Sequence, residues 1–168
     1  MATYTLISSV TVGSGGAANI EFTSIPATYT DLVVLLSGRT TSNDDQRIEI
    51  QFNNSSSNLS QRRLYGEGTN VASDAPAGAI QPTAIPENDY TANTFGNFQM
   101  YIPNYTSSNN KSVSIDVVTE NNATTAYQMF LAGLWSDSSV ITSIKMIPMS
   151  SGNFAQYSTA YLYGISNA

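Results

Sequence analysis

The chain contains neither cysteine nor histidine. Without cysteine there is no disulfide framework, no thiolate nucleophile and no Cys-ligated zinc. Without histidine there is no Ser-His-Asp triad, no imidazole base and no His-ligated metal. Charge is scarce as well. Asp, Glu, Lys and Arg make up 11% of the residues, against about 25% in an ordinary soluble domain. Six basic residues stand against twelve acidic ones, a net charge of −6 and a pI near 4.2. Phosphate-backbone binding relies on clustered Lys and Arg, so no nucleic-acid partner is expected. No run of 18 apolar residues is present, so no membrane partner is expected either. The N-terminus has no basic stretch ahead of an apolar one, which argues against a secretory signal.

What is present is polar without being charged. Ser, Thr and Asn together supply 57 of the 168 residues, while hydrophobic residues stand at 41% with 10 Tyr, 6 Phe and 1 Trp. This is not a disordered composition. The length suits a single domain over residues 1–168, with a core that needs no covalent staples.

No sustained helical period appears. Period-2 alternation between Gly, Asn, Ser and Pro clusters recurs instead, the mark of half-buried strands. In Arg47-Ile48-Glu49-Ile50-Gln51-Phe52-Asn53, the residues Ile48, Ile50 and Phe52 share one face. Ser112–Val117 alternates in the same way, and Phe98, Met100 and Ile102 oppose Asn97, Gln99 and Tyr101. A first strand is expected from Thr3 to about Val12, with Tyr4, Leu6, Val10 and Val12 on one face. A second carries Ala18, Ile20 and Phe22 inward. The unbroken apolar run Leu32–Leu36 predicts a strand covered on both faces. Asn109-Asn110 and Asn121-Asn122 fall between apolar runs, where Asn tolerates the positive φ of tight hairpins. Strands every 10–15 residues with no helices between them predict an all-β fold. The expected form is an antiparallel, jelly-roll-like β-sandwich of about eight to ten strands.

One segment breaks the rhythm. Residues 69–93 show little alternation and contain Pro76, Pro82 and Pro86, which predicts one long irregular loop. Such a loop is either a plain surface insertion or an arm that packs on another subunit. Proline lowers its unfolded-state entropy and so eases its ordering. Pro76, Pro82, Pro86 and Tyr90 are therefore candidate partner contacts. Tyr161 and Tyr163 join them, because Tyr157, Thr159, Tyr161 and Tyr163 form a ladder suited to a subunit interface.

The candidate chemical sites are weak. Asp44, Asp45 and Glu49 are the densest carboxylates, and glycoside hydrolysis uses a carboxylate pair. Asp44 and Asp45 are adjacent and would face opposite ways in a strand, so a solvated turn explains them better. Glu87-Asn88-Asp89 could offer oxygens to calcium, but no EF-hand or nonapeptide spacing supports it. No catalytic, metal or cofactor residue is assigned, and no enzyme activity is expected. Trp135 and the tyrosines could stack on sugar rings. Tyr127, Met129, Leu131 and Trp135 share a strand face, however, and that spacing favours core. Of Arg62-Arg63, one faces in and must find a carboxylate or carbonyls. The sequons at Asn58, Asn104 and Asn122 follow from a Ser/Thr/Asn-rich composition.

Several strings occur together: Leu6-Ile7-Ser8-Ser9-Val10-Thr11-Val12-Gly13, Tyr29-Thr30-Asp31-Leu32-Val33-Val34, Arg63-Leu64-Tyr65-Gly66 and Tyr101-Ile102-Pro103-Asn104-Tyr105. Further along come Thr119-Glu120-Asn121-Asn122-Ala123, Ala132-Gly133-Leu134-Trp135 and Tyr157-Ser158-Thr159-Ala160-Tyr161-Leu162-Tyr163-Gly164-Ile165. Together they resemble a group of small virion proteins of tailed bacteriophages of aquatic bacteria, cyanophages included. The resemblance spans most of the chain outside 69–93. It implies a jelly-roll sandwich, usually a homotrimer, that acts as head cement or decoration or as part of a fibre. The implied partners are the major capsid protein and other copies of the chain, and the implied location is the virion head surface. The alternative is a tail-fibre or receptor-binding module that recognises host glycans.

Overall fold

The computed structural model describes residues 3–120 and 126–166. Eleven strands occur among them: β1 (Thr3–Thr11), β2 (Ile20–Phe22), β3 (Asp31–Gly38), β4 (Ile48–Phe52), β5 (Leu59–Glu67), β6 (Asn70–Asp74), β7 (Gly96–Ile102), β8 (Lys111–Thr119), β9 (Tyr127–Trp135), β10 (Ile144–Pro148) and β11 (Thr159–Ser166). The all-β, antiparallel sandwich expected from the alternation is the observed fold, with one strand more than the upper expectation. Its two layers are unequal. Eight strands run in the order β1-β11-β3-β7-β8-β9-β5-β6, and three in the order β2-β10-β4.

Alternation explains how the layers meet. Ile48, Ile50 and Phe52 of β4 are fully buried, and Phe98, Met100 and Ile102 of β7 face them from the large sheet. Trp135 and Phe52 join the layers, with ring centroids 5.6 Å apart. Burying each such side chain contributes about 1.5–3 kcal/mol, so the seam between the layers is the main source of stability. The inward face of β8 ends on polar residues, Lys111 and Thr119, and Lys111 is the charged one, 1% exposed. Its ammonium donates to the carbonyls of Ser107 (2.7 Å) and Asn109 (2.6 Å), which meets the hydrogen-bond demand of a buried charge. Burial lowers its pKa, while Asp137 works the other way.

Several local expectations are corrected. The register of β1 against β11 slips between Leu6 and Ser8, a bulge at Ile7. One extra residue reverses the facing of everything beyond it. Tyr4 and Leu6 therefore point outward and are more than half exposed, whereas Val10 packs on the core. Ala18 is exposed and lies outside β2; Ala17 packs on the core in its place. In the β7–β8 hairpin the positive φ sits at Asn104 rather than at Asn109-Asn110. Asn121, Asn122 and the sequon at Asn122 lie outside the described residues.

The largest correction concerns residues 69–93. The segment begins with β6, the hairpin partner of β5. Further on, Ile80 to Ala84 runs antiparallel along β4: Ile50 N donates to Ile80 O (3.0 Å) and Ile48 N to Pro82 O (3.1 Å). Ile80, Pro82 and Ala84 are buried, and Gln81 and Thr83 are half-buried. The segment is thus a fourth strip of the small layer, not a free arm. Proline is tolerated there because Pro82 still accepts from Ile48 through its carbonyl; only the return bond to β4, which its missing N–H would have made, is lost.

Candidate functional site

The eight-stranded sheet has one face on the core and one face that no described element covers. Inter-strand registers place the outward side chains in rows. One row reads Leu64, Phe130, Asp116, Gln99, Leu35, Tyr161 from β5 to β11. The next reads Arg62, Ala132, Ser114, Tyr101, Val33, Tyr163 and ends on Leu6 of β1. Phe130 is 53% exposed, Leu64 52% and Leu6 51%. Leu64 and Phe130 are direct neighbours and Leu6 stands at the opposite edge; large apolar side chains this open on one sheet face mark an interaction surface.

The relief of this face is uneven. A trough of about 610 Å³ lies over β5, β9, β8 and β7, bordered by Arg62, Leu64, Gln99, Asp116 and Phe130. A smaller hollow of about 180 Å³ adjoins it, over Leu35, Asn97, Gln99 and Val118. The trough has a small floor, a consequence of Ser114 and Ala132 on the outward positions of β8 and β9. At the rim of the face, Tyr101 donates its hydroxyl to Asp31 (2.8 Å), and that bond holds the phenol above its usual pKa.

The five-residue run Leu32–Leu36 belongs to this picture. Leu32, Val34 and Leu36 enter the core. Val33 is covered to 4% exposure on the outer face, while Leu35 there is only half-buried. No described element supplies the second covering that the run predicts: Val33 lies between Tyr101 and Tyr163 of its own row, and Leu35 is left half-buried.

The expected contact residues separate. Pro82 and Pro86 are buried within the chain, which removes them as partner contacts; Pro76 is half-buried. Tyr90 is half-buried, its hydroxyl accepting from Gln46 Nε2 (2.5 Å). Tyr161, 38% exposed, and Tyr163, half-buried, are the two that lie on the open face. Trp135 is 2% exposed, so it is core and offers no platform to a sugar. The arginine doublet divides as its alternation requires. Arg63 faces in and grips Asp74 with two hydrogen bonds of 2.6 and 2.5 Å, and Arg62 faces out.

The carboxylates do not assemble into a hydrolytic pair. Asp45 accepts from the Arg47 guanidinium (2.6–3.1 Å) and from the Arg47 N–H (2.8 Å). Burial pushes its pKa up, but these bonds outweigh it and leave the carboxyl below its usual range. Glu49 accepts from Gln51 (2.6 Å) on the outward side of β4. Glu87 is different: burial, then Asp89, Asp45 and Asp44, hold its carboxyl above the usual range. Among the described residues, no group of three or more Asp or Glu is placed to hold a metal ion. A polar hollow of about 280 Å³, with Arg47, Tyr65, Glu67 and Tyr127 around it, opens where the large sheet overhangs the small one. Tyr127 donates to Glu67 there (2.5 Å).

Sequence reading missed Arg39. It is 7% exposed and donates to the carbonyls of Asn88, Tyr90, Thr91 and Thr94 at 2.9–3.1 Å. Nothing in its neighbours in the chain signals this, because the acceptors lie 49 to 55 positions away. No family model matches the chain, and no curated protein matches it.

Proposed function

We propose that this chain is a structural subunit of a phage virion, a cement or decoration protein of the head, which works by burying surface rather than by chemistry. The observation that carries the reading is the uncovered face of the large sheet. It holds exposed Leu and Phe in a chain with very little charge, and free energy is gained only when another protein covers it. The strings that resemble virion proteins, from Leu6-Ile7-Ser8-Ser9 to Tyr157–Ile165, narrow that partner to a virion. A subunit that binds the assembled shell and not free capsid protein stabilises the shell by mass action.

Copy number tests this. A count on the scale of the shell's own subunits, with heads that burst at lower temperature when the protein is removed, is the expected result. A count on the scale of tail fibres, with loss of host adsorption and intact heads, overturns it. That second outcome belongs to the receptor-binding alternative. The polar hollow around Arg47, Tyr65, Glu67 and Tyr127 favours this alternative, since mixed donors, acceptors and aromatic rings suit a glycan.

A further inference from the structure

The open face repeats its own chemistry about its midline. Along the central row the order is apolar, apolar, polar, polar, apolar, apolar: Leu64, Phe130, Asp116, Gln99, Leu35, Tyr161. The midline falls between β8 and β7. We propose that the occupant of this face is a second copy of the same chain, related by a two-fold axis that lies in the interface, parallel to the strands and along that midline. The proposal rests on the assembly reading above, because it names the partner of the same surface.

The two-fold makes every column meet its chemical match. Phe130 comes opposite the partner's Leu35, and Leu64 opposite the partner's Tyr161. Asp116, a carboxylate acceptor, comes opposite the amide of the partner's Gln99, and each of these pairings occurs twice. In the neighbouring row Arg62 faces the ring of the partner's Tyr163, a cation–π pairing, and Ser114 faces the hydroxyl of the partner's Tyr101. Relief agrees with chemistry. Phe130 stands proud of the sheet, and the position opposite is the hollow over Leu35.

Charge and area support a like partner. The chain carries −6, but the charges on this face are few: Asp116 near the midline, Arg62 on β5 and, at the rim, Asp31, whose carboxylate already accepts from Tyr101, so little of the chain's negative charge meets its copy. Eight strands at about 4.8 Å are roughly 34 Å across, and four rows are roughly 20 Å deep. Two such footprints total about 1,400 Å², within the range of stable interfaces. Aligned packing of two sheets is an ordinary arrangement. A two-fold is what this face favours, in place of the three-fold that the resemblance implies.

The test uses the full chain in solution. Sedimentation equilibrium is expected to give twice the 18.0 kDa chain mass. Phe130→Asp is expected to raise the dimer dissociation constant about a hundredfold while circular dichroism stays unchanged, since the side chain is half exposed. The chain has no native cysteine, so single cysteines can be placed cleanly. Phe130→Cys chains mixed with Leu35→Cys chains are expected to be joined by a short bismaleimide. Either alone is not, because its thiols lie about three strand spacings, roughly 14 Å, apart sideways. A monomer, a trimer, or equal cross-linking of each variant alone overturns the two-fold. Its failure is separable from that of the assembly reading. A monomeric chain whose Phe130→Asp variant no longer enters heads loses the two-fold and keeps the reading. Unimpaired entry of that variant, whatever its mass, removes the reading.

Discussion

The Arg39 guanidinium donates to the carbonyl oxygen of Tyr90 at 2.9 Å across 51 positions of the chain. The same guanidinium reaches Asn88 O, Thr91 O and Thr94 O, so one buried cation ties down the whole turn that follows the fourth strip of the small layer. Burial lowers the Arg39 pKa, with Asp89 opposing that shift, yet an arginine stays charged throughout the accessible range. The carbonyls therefore act as its counter-charge.

Arg39→Met is expected to strand those carbonyls. Losing several charge-assisted bonds at a buried site costs about 3 kcal/mol, or about 6–12 °C in Tm for a domain of this size. Thermal unfolding checks the magnitude. Limited proteolysis checks the location, with new cleavage expected between Asn88 and Thr94.

Glu87 opposes folding at neutral pH, because its folded pKa lies above its unfolded one. Its penalty is present above the folded pKa and disappears as pH falls through that value, the reverse of Asp45 and Asp74, whose lowered pKa values make them lose stabilisation in acid. Glu87→Gln is expected to raise Tm at pH 7 by about 1–3 °C, with the gain vanishing well below the ordinary carboxylate pKa. A gain that persists undiminished in acid rejects the assignment.

Arg62 and Arg63 are adjacent in sequence and opposite in consequence. Arg63→Ala removes a partly buried bidentate pair and leaves Asp74 without it, an expected cost of about 1–2 kcal/mol. It also raises the Asp74 pKa, because the Arg63 bond is the main cause of its depression. Arg62→Ala is expected to leave monomer stability within about 0.5 kcal/mol. Denaturant titrations of both variants, done at a concentration below self-association, make the comparison.

Gly38 and Gly96 face each other across β3 and β7, and Ala84 to Pro86 lies over the pair. A Cβ on Gly96 would collide with the carbonyl of Ala84, and one on Gly38 would meet the Ile85 side chain at 2.7 Å. Gly96→Ala is therefore expected to lift this segment off the core at a cost of about 2–3 kcal/mol. Hydrogen exchange at the amides of Ala84 and Ile85, both bound to Gln46 O, is expected to accelerate before exchange elsewhere.

Much of the architecture was readable one strand at a time. Ile48, Ile50 and Phe52, and Val113, Ile115 and Val117, are buried as their alternation requires. The doublet Arg62-Arg63 also divided as expected. Three features escaped. The strip Ile80-Gln81-Pro82-Thr83-Ala84 alternates too, but proline in the middle disguises it, since proline argues against a strand wherever an N–H is needed. The bulge at Ile7 reverses the face of Tyr4 and Leu6, and one inserted residue leaves no compositional mark. Arg39 is read through acceptors far along the chain.

By itself, the sequence determined the layered β architecture and the absence of histidine and thiol chemistry, because period-2 burial and residue types are local properties. The tertiary structure alone decided the order of the strands in the large sheet. That order sets which outward residues become neighbours. Leu64, Phe130, Asp116, Gln99, Leu35 and Tyr161 are joined by two hairpins, β7–β8 and β8–β9, and by three pairings between distant segments, β5–β9, β3–β7 and β3–β11, and no window of sequence shows them as one row. Pairing across strands is a non-local free energy, so the surface it builds exists only once the chain is folded.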